Sequence, residues 1–212
     1  MRKILLFGLM AVLCSIFAAC NDSTCHISGT VPDKYEGKKI FLVPLTDSRA
    51  EVVDSVVITN GKFEFVRDTV MMAKILIDYH YRMGVEPLLV VVEPGQVNVT
   101  IDAVSSASGT PQNDSLQQWK IRKQEHDSQY AMMRRVADGF RLSGDTVEAK
   151  KEQERATKYH VEFKKYTRQL AENLKEGVLH DFLGAMYPTT YQRLMPDSTT
   201  VTFDADTNEP IQ

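Results

Sequence analysis

The period of the apolar residues changes once along the chain, and this change limits the folds that the sequence can adopt. Between Cys25 and Ala103, short runs rich in β-branched and aromatic residues are separated by turn residues, which is typical of β-strands. After a Ser/Gly-rich segment at 105–109, apolar residues recur every three or four positions, as in amphipathic helices. The sequence therefore predicts an α+β protein, with a β domain at 25–110 followed by a helical segment at 111–187.

The β domain is predicted to contain about seven short strands. Its clearest turn is Asn60-Gly61, because a two-residue Asn-Gly loop adopts the positive φ angles that a hairpin requires. The runs on either side, 51–59 and 62–66, predict the two strands of that hairpin. The other strands are predicted at 26–31, 39–43, 73–81, 88–92 and 97–101. Seven strands with frequent turns indicate an antiparallel β-sandwich or a partly open barrel.

One predicted strand differs from the others because it has no polar residue. The run 88–92 is Leu-Leu-Val-Val-Val, without the alternation of a half-buried strand. A strand of this kind is typically covered on both faces. We therefore expect the helical segment, or another part of the chain, to pack on the outer face of the sheet there.

Two helices are predicted to form an antiparallel hairpin. The first begins near Asn113 or Asp114, either of which could be its N-cap. Asp145 followed by Glu148 is an acidic variant of the capping box and predicts the start of the second helix, which Gly177 follows. The predicted apolar faces comprise Leu116, Trp119, Tyr130, Met133 and Ala137, interrupted by Lys123 and His126, and then Ala156, Tyr159, Phe163, Tyr166, Leu170 and Leu174. A short apolar segment at 178–187 is expected to pack nearby.

The end of the chain is polar and acidic. Residues 188–212 are predicted to form a polar C-terminal tail, with a late strand at 199–203 and loosely ordered last residues.

The first twenty residues have the features of a bacterial export signal. Arg2 and Lys3 precede an apolar run that is too short for the roughly 20 residues of a membrane-spanning helix. The end of this segment resembles the lipobox of bacterial lipoproteins, in which a cysteine receives a diacylglyceryl group and becomes the first residue of the mature protein. We predict a signal peptide at 1–19, lipidation of Cys20 and a tether at 20–24. An ordinary signal peptide cut elsewhere and an uncleaved anchor helix are the alternatives.

Lipidation predicts that the protein lies in the cell envelope, anchored in the outer membrane, with its periplasmic or surface side undecided. The net charge of −3 lacks the excess of basic residues that a nucleic-acid surface needs, so no nucleic-acid partner is expected. With Cys14 in the signal peptide and Cys20 lipidated, Cys25 is left as a free thiol. A redox or metal role for Cys25 is conceivable, but nothing near it in sequence lowers its pKa, and we expect an inert thiol.

The remaining polar residues predict no catalytic centre, no metal site and no cofactor. The five histidines, His26, His80, His126, His160 and His180, show no HExxH motif and are expected on the surface or in the helix seam. Glu148 and Glu152 alternate with basic residues, which indicates a solvated, ion-paired helix face.

Five Asp-Ser or Asp-Thr pairs resemble the acceptor pattern for O-glycans on exported proteins of Bacteroidetes. The candidate acceptors are Ser55, Thr69, Ser115, Thr146 and Ser198. The same pairs are favoured at turns and helix caps, so a purely structural role is the alternative.

Several segments, by their order and spacing, resemble the DUF4369 family. They are HISGTV at 26–31, KKIFL at 38–42, DSVVITNGKFEF at 54–65, PLLVVVEPGQV at 87–97, and SGT at 108–110 followed by Asn113. The likeness extends from Cys25 to about Phe140. In this family, common in Bacteroidetes, such a domain typically precedes a thioredoxin-like module of membrane-anchored thiol-disulfide oxidoreductases. These 212 residues contain no CxxC and leave no room for that module, so oxidoreductase activity is not expected, and the resemblance implies no catalytic residues.

Three hypotheses about function follow. The preferred one is a non-catalytic envelope lipoprotein that binds a partner protein or ligand through its β domain and helices. The second is an accessory subunit of a thiol-disulfide oxidoreductase or thioredoxin-like system, acting through Cys25. The third is an enzyme of an unrecognised type.

Overall fold

A computed structural model describes residues 23–46, 49, 51–77, 87–196 and 198–211. Eight strands come first in the described chain: β1 (Cys25–Thr30), β2 (Lys39–Pro44), β3 (Asp54–Val57), β4 (Lys62–Arg67), β5 (Met71–Ile77), β6 (Leu88–Val92), β7 (Gly95–Thr100) and β8 (Ser106–Ser108). They are followed by α1 (Pro111–Leu142), α2 (Thr146–Leu174), α3 (Val178–Met186), β9 (Thr190–Leu194) and β10 (Thr200–Asp204). The predicted signal peptide, Cys20 and His80 lie outside the described residues.

The first eight strands form two four-stranded sheets that face each other. One sheet has the order β4-β1-β7-β8 and the other the order β3-β2-β5-β6. Their inward side chains form one apolar core, in which Ile27 and Phe65 from the first sheet meet Ile40, Ile75 and Val90 from the second. The predicted α+β sandwich is confirmed, and of its two forms the sheets adopt the sandwich, since they do not close into a barrel.

Strand pairing differs from the expectation in two places. β1 pairs with β7 in parallel, so the first sheet is mixed and not wholly antiparallel. β8 lies in the Ser/Gly-rich segment at 105–109, where no strand was predicted, and it pairs with β7. β8 has only three residues, of which Ala107 alone is buried, so it is too short and too polar to show a strand pattern in the sequence.

The Asn60-Gly61 turn forms as predicted, but its two strands belong to different sheets. The φ angles of Asn60 and Gly61 are 53° and 64°, as a hairpin turn requires. Only Thr59 and Lys62 pair across the turn. Beyond them β3 pairs with β2 and β4 pairs with β1, so this turn carries the chain from one sheet of the sandwich to the other.

The helices cover the outer face of the sheet that contains β6. Val91 and Met72 on that face pack in one cluster with Trp119 of α1 and Leu179 of α3. Val90 and Val92 point instead into the sandwich core. The prediction that the strand at 88–92 is covered on both faces is therefore confirmed, and the helices supply the second cover. Among the described residues, none of the helices combines the length and the apolar character that a membrane crossing requires.

The helix boundaries confirm one predicted cap and correct another. Asp145 accepts a hydrogen bond from the backbone N–H of Glu148 at 3.1 Å, as the capping motif at the start of α2 predicted. The prediction that Asn113 or Asp114 is the N-cap of α1 is wrong, because α1 begins at Pro111 with Thr110 in the N-cap position. Asn113 lies inside the helix, where its side chain has another role described below.

The polar end of the chain is more ordered than expected. β10 confirms the predicted late strand, and β9, which was not predicted, pairs with it in an antiparallel hairpin. Asp206, just after β10, forms ion pairs with Lys164, at 2.8 Å, and with Arg168, both on α2. These long-range ion pairs hold the terminal hairpin on α2. They could not be predicted from residues 188–212 alone, because their basic partners lie on α2.

Candidate functional site

β6 is the last strand of its sheet, and the side chain of Asn113 from α1 satisfies the backbone at this edge. The Asn113 amide oxygen accepts a hydrogen bond from the N–H of Val91 at 3.0 Å. Its amide nitrogen donates to the C=O of Val91 at 2.7 Å and to the hydroxyl of Thr110 at 2.8 Å. Asn113 is fully buried. One side chain thus substitutes for a neighbouring strand, which protects an edge that would otherwise leave buried polar groups unpaired.

A buried carboxylate joins the same edge to the beginning of the helix. Glu93, which follows β6, accepts hydrogen bonds from the backbone N–H of Gln112 at 2.9 Å and of Asn113 at 3.3 Å. The first N–H groups of a helix lack partners within the helix, and the helix dipole favours a negative charge there. The Gln112 side chain also donates to Glu93 and accepts from the N–H of Leu179 at 3.0 Å. Glu93 and Gln112 therefore fix both α1 and α3 on the sandwich.

Lys120 lies about two turns after Asn113 on α1, and its side chain reaches β6. Its ammonium group donates a hydrogen bond to the C=O of Leu89 at 3.2 Å. Burial lowers the pKa of Lys120 to about 8, because the partly desolvated site disfavours the charged form. No carboxylate among the described residues forms an ion pair with Lys120.

Lys120 lines a groove of about 670 Å³ between α1 and one end of the sandwich. α1 contributes Lys120, Lys123, Gln124 and Asp127 to one side. The other side is formed by Pro32, Lys34 and Tyr35, by 87–89 and by the turn at 102–105. Ligand pockets commonly have volumes of about 300–1,000 Å³ and combine apolar walls with a few polar groups. The groove has the size and the mixed lining of a ligand site, and it is the candidate functional site of this chain.

The charged groups of the groove are unevenly paired. Asp127 accepts hydrogen bonds from Lys123 and from the Nδ1 side of His126, at 3.0 Å for the latter. Burial would raise the pKa of Asp127, but these two partners outweigh that effect and lower it. Lys34 lies over the ring of Tyr35. Among the described residues, the charged side chains of the lining are Lys34, Lys120, Lys123, Asp102 and Asp127, an excess of one positive charge.

A pair of histidines lies behind Asp127 in the seam between α1 and α2. His126 Nε2 is 3.3 Å from His160 Nδ1, and the His126 ring stacks on Phe163 with 4.2 Å between ring centres. His126 is 3% exposed, so it belongs to the apolar face that it was expected to interrupt. Burial, and then the charges of His126 and Lys164, lower the pKa of His160. Within the described ranges, no three metal-ligating side chains converge here or elsewhere.

Cys25, the predicted free thiol, is the first residue of β1 and is 1% exposed. Burial raises its pKa, and a hydrogen bond with the backbone of Glu93 offsets only part of that effect. A thiol must ionise to react readily, so these surroundings support the expectation that Cys25 is inert.

The five candidate O-glycan acceptors are scattered over the described surface. Ser55, Thr69, Thr146 and Ser198 are exposed, whereas Ser115 is half-buried. The hydroxyl of Ser115 donates to the C=O of Pro111 within α1 at 2.9 Å. None of the five lines the groove. Their modification stays a prediction, and for Ser115 the helix offers the structural alternative.

The sequence did not identify the groove, although it contained its parts. Glu93 lies between two predicted strands, where no site was expected, and Asn113 was predicted only as a possible helix cap. A lysine on an amphipathic helix normally points to solvent, so nothing local distinguished Lys120. The one available signal was the apolar strand at 88–92, which predicted that something covers this sheet without showing which residues do so.

A family model describes part of this architecture. The family "Domain of unknown function (DUF4369)" matches residues 25–116. The matched range contains the eight strands of the sandwich and the first turns of α1, with Glu93, Gln112 and Asn113 but not Lys120. No curated protein and no solved structure matches the chain.

Proposed function

We propose that this protein is a non-catalytic lipoprotein of the cell envelope that binds a ligand or a partner protein in the groove beside Lys120. The match of residues 25–116 to the DUF4369 family is compatible with this proposal. The groove carries the proposal, since it combines the size of a ligand site with an amine that lacks an ion-pair partner among the described residues. Cys20 carries the lipid and the outer membrane holds the anchor. Two or more acyl chains are needed for stable attachment, and a lipidated cysteine supplies them.

The position of β1 is compatible with an anchored binding module. Cys25 begins β1, so a fully extended tether from Cys20 spans at most about 17 Å. Pro32 and Tyr35 of the groove follow the opposite end of β1, about 17 Å further along the strand. A chain anchored through Cys20 would therefore hold the start of β1 near the bilayer and leave the groove at the far end of the sandwich, open to a ligand.

Metabolic labelling with radioactive palmitate tests the anchor. We expect the wild type to incorporate label and the Cys20→Ala variant to incorporate none. Cys25→Ala is the matched control, because it removes a buried thiol and should leave labelling unchanged. Equal labelling of the Cys20→Ala variant would contradict the lipoprotein assignment.

Site-specific photocrosslinking in cells tests the groove. Val104 lines the groove and is 73% exposed, so a benzoylphenylalanine at this position should capture the ligand or partner. Val57 on β3, 53% exposed and outside the groove, is the control position. A specific adduct at Val104 and none at Val57 is expected. No adduct at Val104, or the same adduct at both positions, would contradict binding in the groove.

An enzymatic function is the second candidate, favoured by the lowered pKa of Lys120. An amine with a pKa near 8 is a better nucleophile at neutral pH than an ordinary lysine. Mass spectrometry of the molecule released from the protein distinguishes the two functions. A binding module releases its ligand chemically unchanged, whereas an enzyme that uses Lys120 releases an altered molecule and loses this activity in Lys120→Met.

A further inference from the structure

We propose that the groove binds a small amphipathic carboxylate, whose anionic head pairs with Lys120 and whose apolar body lies against the wall formed by Pro32, Tyr35, Pro87, Leu89 and Val104. This inference rests on the proposed binding function of the groove and adds the chemical class of the ligand. The size of the groove, the unused donors of Lys120 and the apolar opposite wall support it independently of one another.

The ammonium group of Lys120 has capacity for an anion. A lysine ammonium carries three N–H donors, and one of them is used by the C=O of Leu89. Among the described residues, this ammonium group makes no other hydrogen bond and no ion pair. A partly buried charge without a counter-ion is costly, and burial accordingly lowers the pKa of Lys120. A bound carboxylate would supply the missing negative charge and accept the remaining donors.

The other charged groups of the groove favour a single negative charge on the ligand. Asp127 already binds Lys123, and Lys34 lies over Tyr35. Asp102 accepts a hydrogen bond from the N–H of Ala103 in its own turn. Among the described residues the lining therefore has a net charge of +1, and Lys120 is its half-buried ammonium group without a counter-ion, so a monoanion that pairs with Lys120 would neutralise the groove. A dianion would meet Asp102 and Asp127 without a second unpaired lysine on α1.

The wall opposite α1 calls for an apolar ligand body. Pro32, Tyr35, Pro87 and Leu89 are each half-buried, and Val104 is among the most exposed large apolar side chains of the described residues. A hydrocarbon chain would cover these surfaces and remove them from water. A ligand with a charged head alone would leave this side of the groove unused.

Isothermal titration calorimetry with eight-carbon probes tests the inference. The protein is the mature chain 20–212 with Cys20→Ser, which leaves every described residue in place. We expect octanoate to bind at least tenfold more tightly than octanol at pH 7, and octylammonium to bind more weakly than octanol. The affinity for octanoate should fall between pH 7 and pH 9 as Lys120 loses its proton, whereas the affinity for octanol should not change.

Three variants assign the effect to Lys120. Lys120→Met should lose at least tenfold in affinity for octanoate and keep its affinity for octanol, while Lys120→Arg should retain most of the octanoate affinity. Lys151→Met is the matched control, because Lys151 is an exposed lysine of α2 outside the groove. Unchanged thermal melting of each variant shows that folding is intact.

Several results would overturn the inference. They are equal affinities for octanoate and octanol, tighter binding of octyl phosphate than of octanoate, equal effects of the Lys120→Met and Lys151→Met substitutions, and no binding of any octyl probe. If no probe binds but the crosslink at Val104 forms, the ligand class is wrong and the proposed binding function stands. If neither is observed, both fail.

Discussion

Replacing Asn113 with alanine should destabilise the whole protein, because it leaves backbone groups at the edge of β6 without hydrogen-bond partners. The substitution removes three hydrogen bonds and leaves the N–H and the C=O of Val91 without their partners. A buried polar group without a partner costs about 1 to 3 kcal/mol, so two such groups predict a loss of about 2 to 6 kcal/mol in the free energy of unfolding. Because Asn113 is fully buried, water reaches these groups only if α1 moves.

Urea unfolding measures this loss, and Asn98→Ala is its control. Asn98 lies on an exposed position of β7, so removal of the same amide there should change stability by less than about 0.5 kcal/mol. Hydrogen exchange gives a local measurement, since the amide of Val91 should exchange faster in the Asn113→Ala variant at temperatures where both proteins are folded. A loss below about 1 kcal/mol, or an unchanged exchange rate at Val91, would refute the role of Asn113 as an edge cap.

Three further predictions follow from packing and charge. Asp206→Asn weakens the ion pairs with Lys164 and Arg168, so limited proteolysis should cut the β9–β10 hairpin sooner than in the wild type. Burial, His126 and Lys164 lower the folded pKa of His160 below its unfolded value of about 6.5, so stability should be fully present above that pH and decrease as the pH falls through the folded pKa. Thermal melts at pH 7.5 and 5.5 should show this loss, and His160→Phe should reduce it. Gly29→Ala places a Cβ 2.3 Å from the ring of Phe63 and 2.9 Å from the C=O of Val99, which should cost about 1 to 3 kcal/mol. Gly139→Ala should instead stabilise by about 0.5 to 1 kcal/mol, because beyond the adjacent backbone of its own helix no atom lies within 4 Å of the added Cβ. Urea midpoints that move in the same direction for both glycine variants would contradict the packing argument.

The elements that could be predicted are those whose signal is local. The turn at Asn60-Gly61 and the cap at Asp145 depend on residues within three positions of each other, and both form as expected. The apolar strand at 88–92 predicted cover on both faces, because a strand that is buried on both faces is apolar at nearly every position. The late strand at 199–203 was also predicted, and β10 forms there at Thr200–Asp204.

The candidate site could not be predicted, because its residues are ordinary within their own segments. Asparagine is a residue type that is common at helix starts, and only the position of Asn113 opposite Val91 gives it another role. Lysine is a residue type that is common on solvated helix faces. The amine of Lys120 is buried only because α1 packs against β6. Neither contact is encoded within one segment, since each joins a helix to a strand 22 or more residues away.

The sequence by itself determined the order of the seven predicted strands and the two long helices, the positions of the main turns and the presence of a sheet covered on both faces. These features arise from local backbone preferences and from the period of the apolar residues, and both can be read within a single segment of the chain. Tertiary structure alone decided that β1 lies parallel to β7, that the terminal hairpin is held on α2 and that a groove opens beside Lys120. Such features depend on which surfaces meet after the chain has folded, and many pairings of short strands satisfy the same apolar pattern.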